Sequence, residues 1–153
     1  MYGRSIAAFA LAAPLAAHAA DTKPPFTQDH ARKIIGDLQK VVSPNGIDQQ
    51  MEITIGGIKQ WITIRGRDKN NPILLFLHGG PAAPEMPTSW TFQNPWEDYF
   101  TVVQLDQRGS GKTYNANDPK KNASTLTADR MEKDTEKLEP YLRATYHKPK
   151  LSV

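Results

Sequence analysis

Two short runs of the 153-residue chain hold its candidate chemistry, His78-Gly79-Gly80-Pro81 and Asp106-Gln107-Arg108-Gly109-Ser110-Gly111. Adjacent glycines let backbone come close to a substrate and adopt angles closed to other residues. Gly109-Ser110-Gly111-Lys112-Thr113 ends as a phosphate-cradling loop does. That loop needs glycine five positions before its Gly-Lys-Thr, and Asp106, whose charge repels phosphate, stands there instead. Tyr114 to Lys121, with Asn115, Asn117 and Pro119, also reads as lacking a helix to receive phosphate. A nucleotide-hydrolysing site is therefore not expected. The chain has no cysteine, which excludes disulfides, thiolate catalysis and Cys-ligated zinc.

The elements that must position these runs follow from periodicity. Ala31, Ile34, Ile35, Leu38, Val41 and Val42 fall on one helix face, with Thr27 as N-cap and Ser43-Pro44-Asn45-Gly46 as the stop. This predicts a helix packed on the body of the protein. Met51 to Ile55 and Ile58 to Arg65 alternate β-branched residues around Gly56-Gly57, the pattern of a tight antiparallel hairpin. Arg65 to Asn71 is a solvated turn. Ile73 to Leu77, apolar at every position, predicts a strand covered on both faces and runs straight into His78. Trp90, Phe92 and Trp96 read as core or lid packing. A second apolar strand, Thr101 to Leu105, leads into Asp106. Met131, Leu138, Leu142 and Tyr146 suit an amphipathic helix from Thr127 to Tyr146, kinked at Pro140. Lys150 to Val153 looks like the opening of another strand. The order predicts an α/β fold, an antiparallel hairpin leading into parallel strands flanked by helices.

A buried strand, His78-Gly79-Gly80-Pro81, a second strand and then Asp106 to Gly111 resemble the proline iminopeptidase family of α/β-hydrolases, over roughly Ile47 to Val153. The resemblance implies acyl transfer through a serine nucleophile, in which fixed N–H groups meet the charge developing on the carbonyl oxygen. In this fold one donor comes from the loop after the third strand and the other from the residue after the nucleophile. It thus implies that the N–H of Gly80 is an oxyanion donor, with His78, Gly79 and Pro81 on the substrate-binding loop. His78 itself is expected to organise the loop, because the catalytic histidine of the family comes late in the chain. Asp106, Gln107, Arg108, Gly109 and Gly111 correspond to a structural turn, where the acid and Arg108 tie neighbouring loops. Ala82 departs from the glycine usual after the proline, a cost of about 1 kcal/mol if positive φ is needed there. His30 and His147 read as surface residues.

The nucleophile motif Gly-x-Ser-x-Gly is missing: none of Ser5, Ser43, Ser89, Ser110, Ser124 or Ser152 has glycine two residues before and after. The sequence therefore reads as an α/β-hydrolase sheet truncated before its nucleophile elbow, without catalytic Ser, Asp or His. These 153 residues alone are expected to fold poorly and to show no turnover. The complete protein reads as an aminopeptidase acting on small peptides, with an esterase, a non-catalytic binding module or a remnant as the alternatives. A strand followed by Gly-x-Ser-x-Gly downstream would select the enzyme.

Composition fits one globular domain, with 39% hydrophobic and 23% charged residues. The net charge of +3 is spread without a basic stripe, so nucleic acid is not an expected partner. Arg4, the apolar run Ile6 to Ala17 and Ala17-His18-Ala19 predict a signal peptide over residues 1–19. The run is short of the ~20 residues that span a bilayer and holds Pro14, so no stable membrane insertion is expected once the signal is removed. Loss of Arg4 leaves a formal charge of +2 from the original +3. Export to the periplasm or medium follows, with residues 20–46 as spacer and helix and 47–153 as the partial hydrolase domain. The reading implies no cofactor and no metal.

Overall fold

The computed structural model describes residues 26–79 and 83–153. Its centre is a five-stranded sheet in the order β1-β2-β4-β3-β5. The strands are β1 (Ile47–Ile55), β2 (Ile58–Gly66), β3 (Ile73–Leu77), β4 (Thr101–Asp106) and β5 (Leu151–Ser152). β1 and β2 form the expected hairpin, β2 pairs antiparallel with β4, and β3 lies parallel to both β4 and β5. The sheet thus turns from antiparallel to parallel at β4, as the sequence order predicts.

Register sorts the side chains by face. Ile62 stands opposite Leu105 and Ile64 opposite Val103, while Leu75 pairs with Val103. These residues join Ile53, Ile55 and Ile73 in one core. The core is closed by Leu138 and Leu142 of a long helix, α4 (Ala128–Thr145). Thr127 caps it, its side chain accepting from the Arg130 N–H, and the helix runs through Pro140. On the opposite face Phe76 stacks on Phe92 and Trp96 at centroid separations of 5.6 and 5.8 Å. Those two aromatics are half-buried and stack on one another as well, carried on a segment with two single-turn 3₁₀ helices; Trp90 stays outside the stack. β3 is covered unevenly, however: Ile73 and Leu75 are buried, whereas Leu74, Phe76 and Leu77 are half-buried.

Three expectations need correcting. Arg65 and Gly66, read as part of a solvated turn, lie in β2, where Arg65 pairs with Asp48 and Glu97 and Gly66 is buried. The N-terminal helix α1 (Gln28–Leu38) forms with Thr27 as cap, but it ends before Val41 and Val42 and so short of the expected stop, it buries no residue, and Leu38 remains 70% exposed. Its periodicity defines an apolar face without supplying a surface to cover it. The stretch after Gly109 is also not helix-free, since α2 (Gly111–Asn115) and α3 (Pro119–Asn122) occupy it. Both are too short to show a hydrophobic period, and Asp118 starts α3 by accepting from the Lys120 N–H.

The hairpin turn provides a test of local packing. Gly56 and Gly57 both have positive φ, 60° and 79°. A Cβ at Gly57 meets nothing within 4 Å, while one at Gly56 overlaps the Asp134 carboxylate and the Arg108 and Arg130 guanidiniums. Gly57→Ala should cost only the left-handed strain of about 1–2 kcal/mol. Gly56→Ala adds overpacking of about 1–3 kcal/mol. Denaturant midpoints of the two variants should separate in that order; equal losses would contradict this packing.

Candidate active site

β3 and β4 end side by side, with Leu77 opposite Leu105, so the loops after them are brought together by the sheet. His78 is buried at the start of the first loop and Gly79 is exposed beyond it. Gly80 and Pro81, which the resemblance singles out, lie outside the described residues, as does Ala82. Open volume of about 290 Å³ is lined by His78, Gly79, Gln107, Leu126, Thr127, Ala128 and Met131. It sits at the carboxyl ends of the parallel strands, the usual place for ligands in α/β sheets.

The two loops are joined by hydrogen bonds. Gln107 Nε2 donates to the His78 carbonyl at 2.7 Å, and the Gln107 N–H donates to His78 Nε2 at 3.2 Å. Ser110 Oγ lies 3.0 Å from the same nitrogen and donates to the Gln107 carbonyl at 2.8 Å. His78 Nδ1 meets the Gly79 carbonyl at 2.8 Å. His78 is thus engaged on both ring nitrogens within the loop pair. His30 and His147 are exposed and take no part.

Asp106 and Arg108 have separate tasks. Asp106 Oδ2 accepts from the Lys112 N–H at 2.8 Å, closing the turn at the start of α2. A side chain at Gly111, where φ is 48°, would run into that carboxylate. Because the acid sits at the N-terminus of α2, the place a phosphate would need is already negative. Arg108 is buried and reaches the other way, donating to Asp134 Oδ2, the Gly56 carbonyl and Thr125 Oγ1. It ties the β4 turn to the hairpin and to α4. Gln60 Nε2 also donates to Asp134 Oδ2, at 2.8 Å. Asp134 is the residue that sequence reasoning passed over. Its only signal was its place four residues before Leu138, on the buried stripe of α4.

Burial pushes the Asp106 carboxyl above its ordinary 3.8, against the pull of the Lys112 N–H and the charges of His78 and Lys112. A raised folded value means that the fold prefers the neutral acid. The contribution of Asp106 to stability is therefore greatest below the ordinary value and is lost as pH rises through the folded one. Asp106→Asn removes this dependence. Measured by denaturation across acidic pH, wild type should lose stability relative to the Asn variant as pH rises from about 3.8. A constant difference, or one of opposite slope, would refute the assignment. Among the described residues no cluster of three or more His, Cys, Asp or Glu side chains is arranged to hold a metal ion, and no helix is long and apolar enough to cross a membrane.

No protein-family model matches the chain. It is 42% identical over 100 residues to the Bacillus subtilis (strain 168) protein named "Probable aminopeptidase YbaC", covering 65% of this chain and 30% of that protein. It is 46% identical over 41 residues to the proline iminopeptidase of Neisseria gonorrhoeae, covering 27% and 13% respectively. A proline iminopeptidase-related protein of Thermus thermophilus superposes with a TM-score of 0.54 at 22% identity, over 69% of this chain and 34% of that one. The chain thus spans about a third or less of each relative. Its mixed sheet is consistent with a partial α/β-hydrolase-type sheet, and its sequence is similar to part of a probable aminopeptidase and, over a short stretch, to a proline iminopeptidase.

Proposed function

We propose that this chain forms the oxyanion-loop part of an exported serine hydrolase, an aminopeptidase of proline iminopeptidase type that releases N-terminal residues from peptides. One observation carries the reading: β5 lies parallel on β3, with Leu151 opposite Ile73 and Ser152 opposite Leu74. A strand continuing in that register runs beside Leu75 to Leu77 and finishes at the His78–Gly79 loop. A nucleophile on the turn after such a strand would arrive next to that loop's backbone. The identity to a protein named as an aminopeptidase and the local identity to a proline iminopeptidase support the substrate class.

In this reading serine, on a longer polypeptide of the kind its relatives have, attacks the carbonyl of the N-terminal residue. A base takes the serine proton and returns it to the leaving amine, and water then hydrolyses the acyl-enzyme. The Gly80 N–H and the N–H after the nucleophile hold the oxyanion. His78, Gly79 and Pro81 form the substrate side of the loop, while Asp106 to Gly111 support it. The full-length polypeptide should hydrolyse a chromogenic proline amide and be labelled covalently at one serine by a phosphonate. A folded polypeptide that does neither would refute the function.

Export is the second part of the proposal and rests on residues 1–19, outside the described structure. Exported material should begin near Ala20 or Asp21 on N-terminal sequencing. Material that still begins at Met1 would overturn the signal peptide.

A further inference from the structure

We propose that β1 is the interface of a symmetric dimer, in which two copies of this polypeptide pair antiparallel along that edge strand with Met51 facing Met51. β1 ends the sheet, with β2 on one side and no strand on the other. Ile55 and Ile58 close a two-residue turn whose glycines both have positive φ, so they exchange backbone bonds, and Ile53, Met51, Gln49 and Ile47 repeat the pattern along the hairpin. The residues between them, Asp48, Gln50, Glu52 and Thr54, therefore turn N–H and C=O away from β2. All four are exposed, and among the described residues no hydrogen bond uses their backbone groups.

Such an edge is a template for another chain unless the sequence blocks it with proline, lysine, a bulge or a short strand. β1 has none of these: it pairs one-to-one with β2 over nine residues and holds neither proline nor lysine. Its two carboxylates are matched from β2, Asp48 by Arg65 at 2.6 Å and Glu52 by Lys59 at 2.9 Å. Neither stands against a neighbour as an uncompensated charge.

The occupant follows from the sequence of the edge itself. Centred on Met51, two copies overlap over the whole of Ile47 to Ile55, with Gln50 of each facing Glu52 of the other, Asp48 facing Thr54 and Ile47 facing Ile55. No like charges are opposed. A two-residue shift sets Asp48 against Glu52 in one direction and Glu52 against Glu52 in the other, and like charges directly opposite are unfavourable. A shift of one residue sets outward groups against inward ones. Opposed residues share a face of the sheet, so the centred pairing also joins Ile47, Met51, Ile53 and Ile55 of both copies into one apolar stripe. Ile47 and Met51 are only half-buried in the single copy, against the core that this stripe extends.

The test is sedimentation velocity of the full-length polypeptide up to about 100 μM, where even a micromolar contact is populated. Wild type should form a dimer whose share rises with concentration. Glu52→Pro removes an outward N–H that β2 does not use, and should raise the dimer dissociation constant by about 10- to 100-fold. Gln50→Glu keeps an acceptor for Lys112 Nζ, which Gln50 Oε1 now receives at 2.6 Å, but sets a second carboxylate against Glu52 of the other copy. It should weaken the dimer by about 2- to 30-fold at low salt and by less at high salt. Adding Glu52→Gln to it exchanges acid and amide across the interface and should restore wild-type association. Thermal unfolding checks that each variant is folded.

A wild-type polypeptide that stays monomeric throughout overturns the proposal and leaves the edge to an unlike chain. Dimers that ignore both Glu52→Pro and Gln50→Glu overturn it as well, because they are joined elsewhere. So does a folded double variant, Gln50→Glu with Glu52→Gln, that associates no more tightly than Gln50→Glu alone. Turnover enters none of these readings, so failure of the hydrolase function leaves them unchanged.

Discussion

Asp134→Ala should destabilise the protein by about 3–5 kcal/mol, the range for removing one partner of a buried ion pair. Both side chains of the Arg108–Asp134 pair are essentially fully buried, at 1% and 2% exposure. Asp134 Oδ2 receives Arg108 Nε at 3.0 Å, Arg108 Nη2 at 2.9 Å and Gln60 Nε2 at 2.8 Å. Oδ1 lies within ion-pair distance of Arg130 Nε, at 3.2 Å, but makes no aligned hydrogen bond, so the hold is concentrated at Oδ2. Truncation leaves the buried Arg108 charge between hairpin, turn and helix without its carboxylate. Replacing both partners with apolar residues, Arg108→Met with Asp134→Leu, removes the stranded charge and should recover most of the loss. Denaturant unfolding of the full-length polypeptide at unchanged m-value measures both variants. A loss below about 1 kcal/mol in Asp134→Ala would show that the pair is not the clamp described.

The same residue shows where sequence reading reaches its limit. The hairpin, β3, β4 and α4 were legible because alternating or helical apolar spacing is produced by burial itself. In α4, Leu138 and Leu142 carried that signal, and Asp134 occupied the next position of the stripe as a charge. A carboxylate in a helix with many charges reads as solvated, and its buried partners Arg108 and Gln60, 26 and 74 residues away, make it otherwise. α1 fails in the opposite direction: Ile34 and Leu38 have the right spacing, yet both are exposed. Spacing reports which side of a helix is apolar and says nothing about what lies opposite it.

The site divides in the same way. The glycines that follow each strand, with His78 before one pair and Asp106 before the other, marked both loops. The link between them was not legible, because Gln107 is polar, lies in a turn and has no periodicity to betray its contact with His78. Such cross-loop bonds depend on β3 and β4 being neighbours, which the parallel register establishes.

Under the proposed function, Gly80→Pro should lower kcat of the full-length polypeptide by about 10²- to 10³-fold, equivalent to about 2.7–4 kcal/mol of transition-state stabilisation. Proline has no N–H, so the substitution deletes the proposed donor where a side-chain change could not. The donor acts on charge that is present only as the tetrahedral intermediate forms, so kcat should fall while KM moves little. Proline also fixes φ near about −65°, and a loop bent out of place would impair binding as well as chemistry. The split between kcat and KM separates these causes, with thermal unfolding as the check on folding. A folded Gly80→Pro enzyme with unchanged turnover would remove Gly80 from the oxyanion hole.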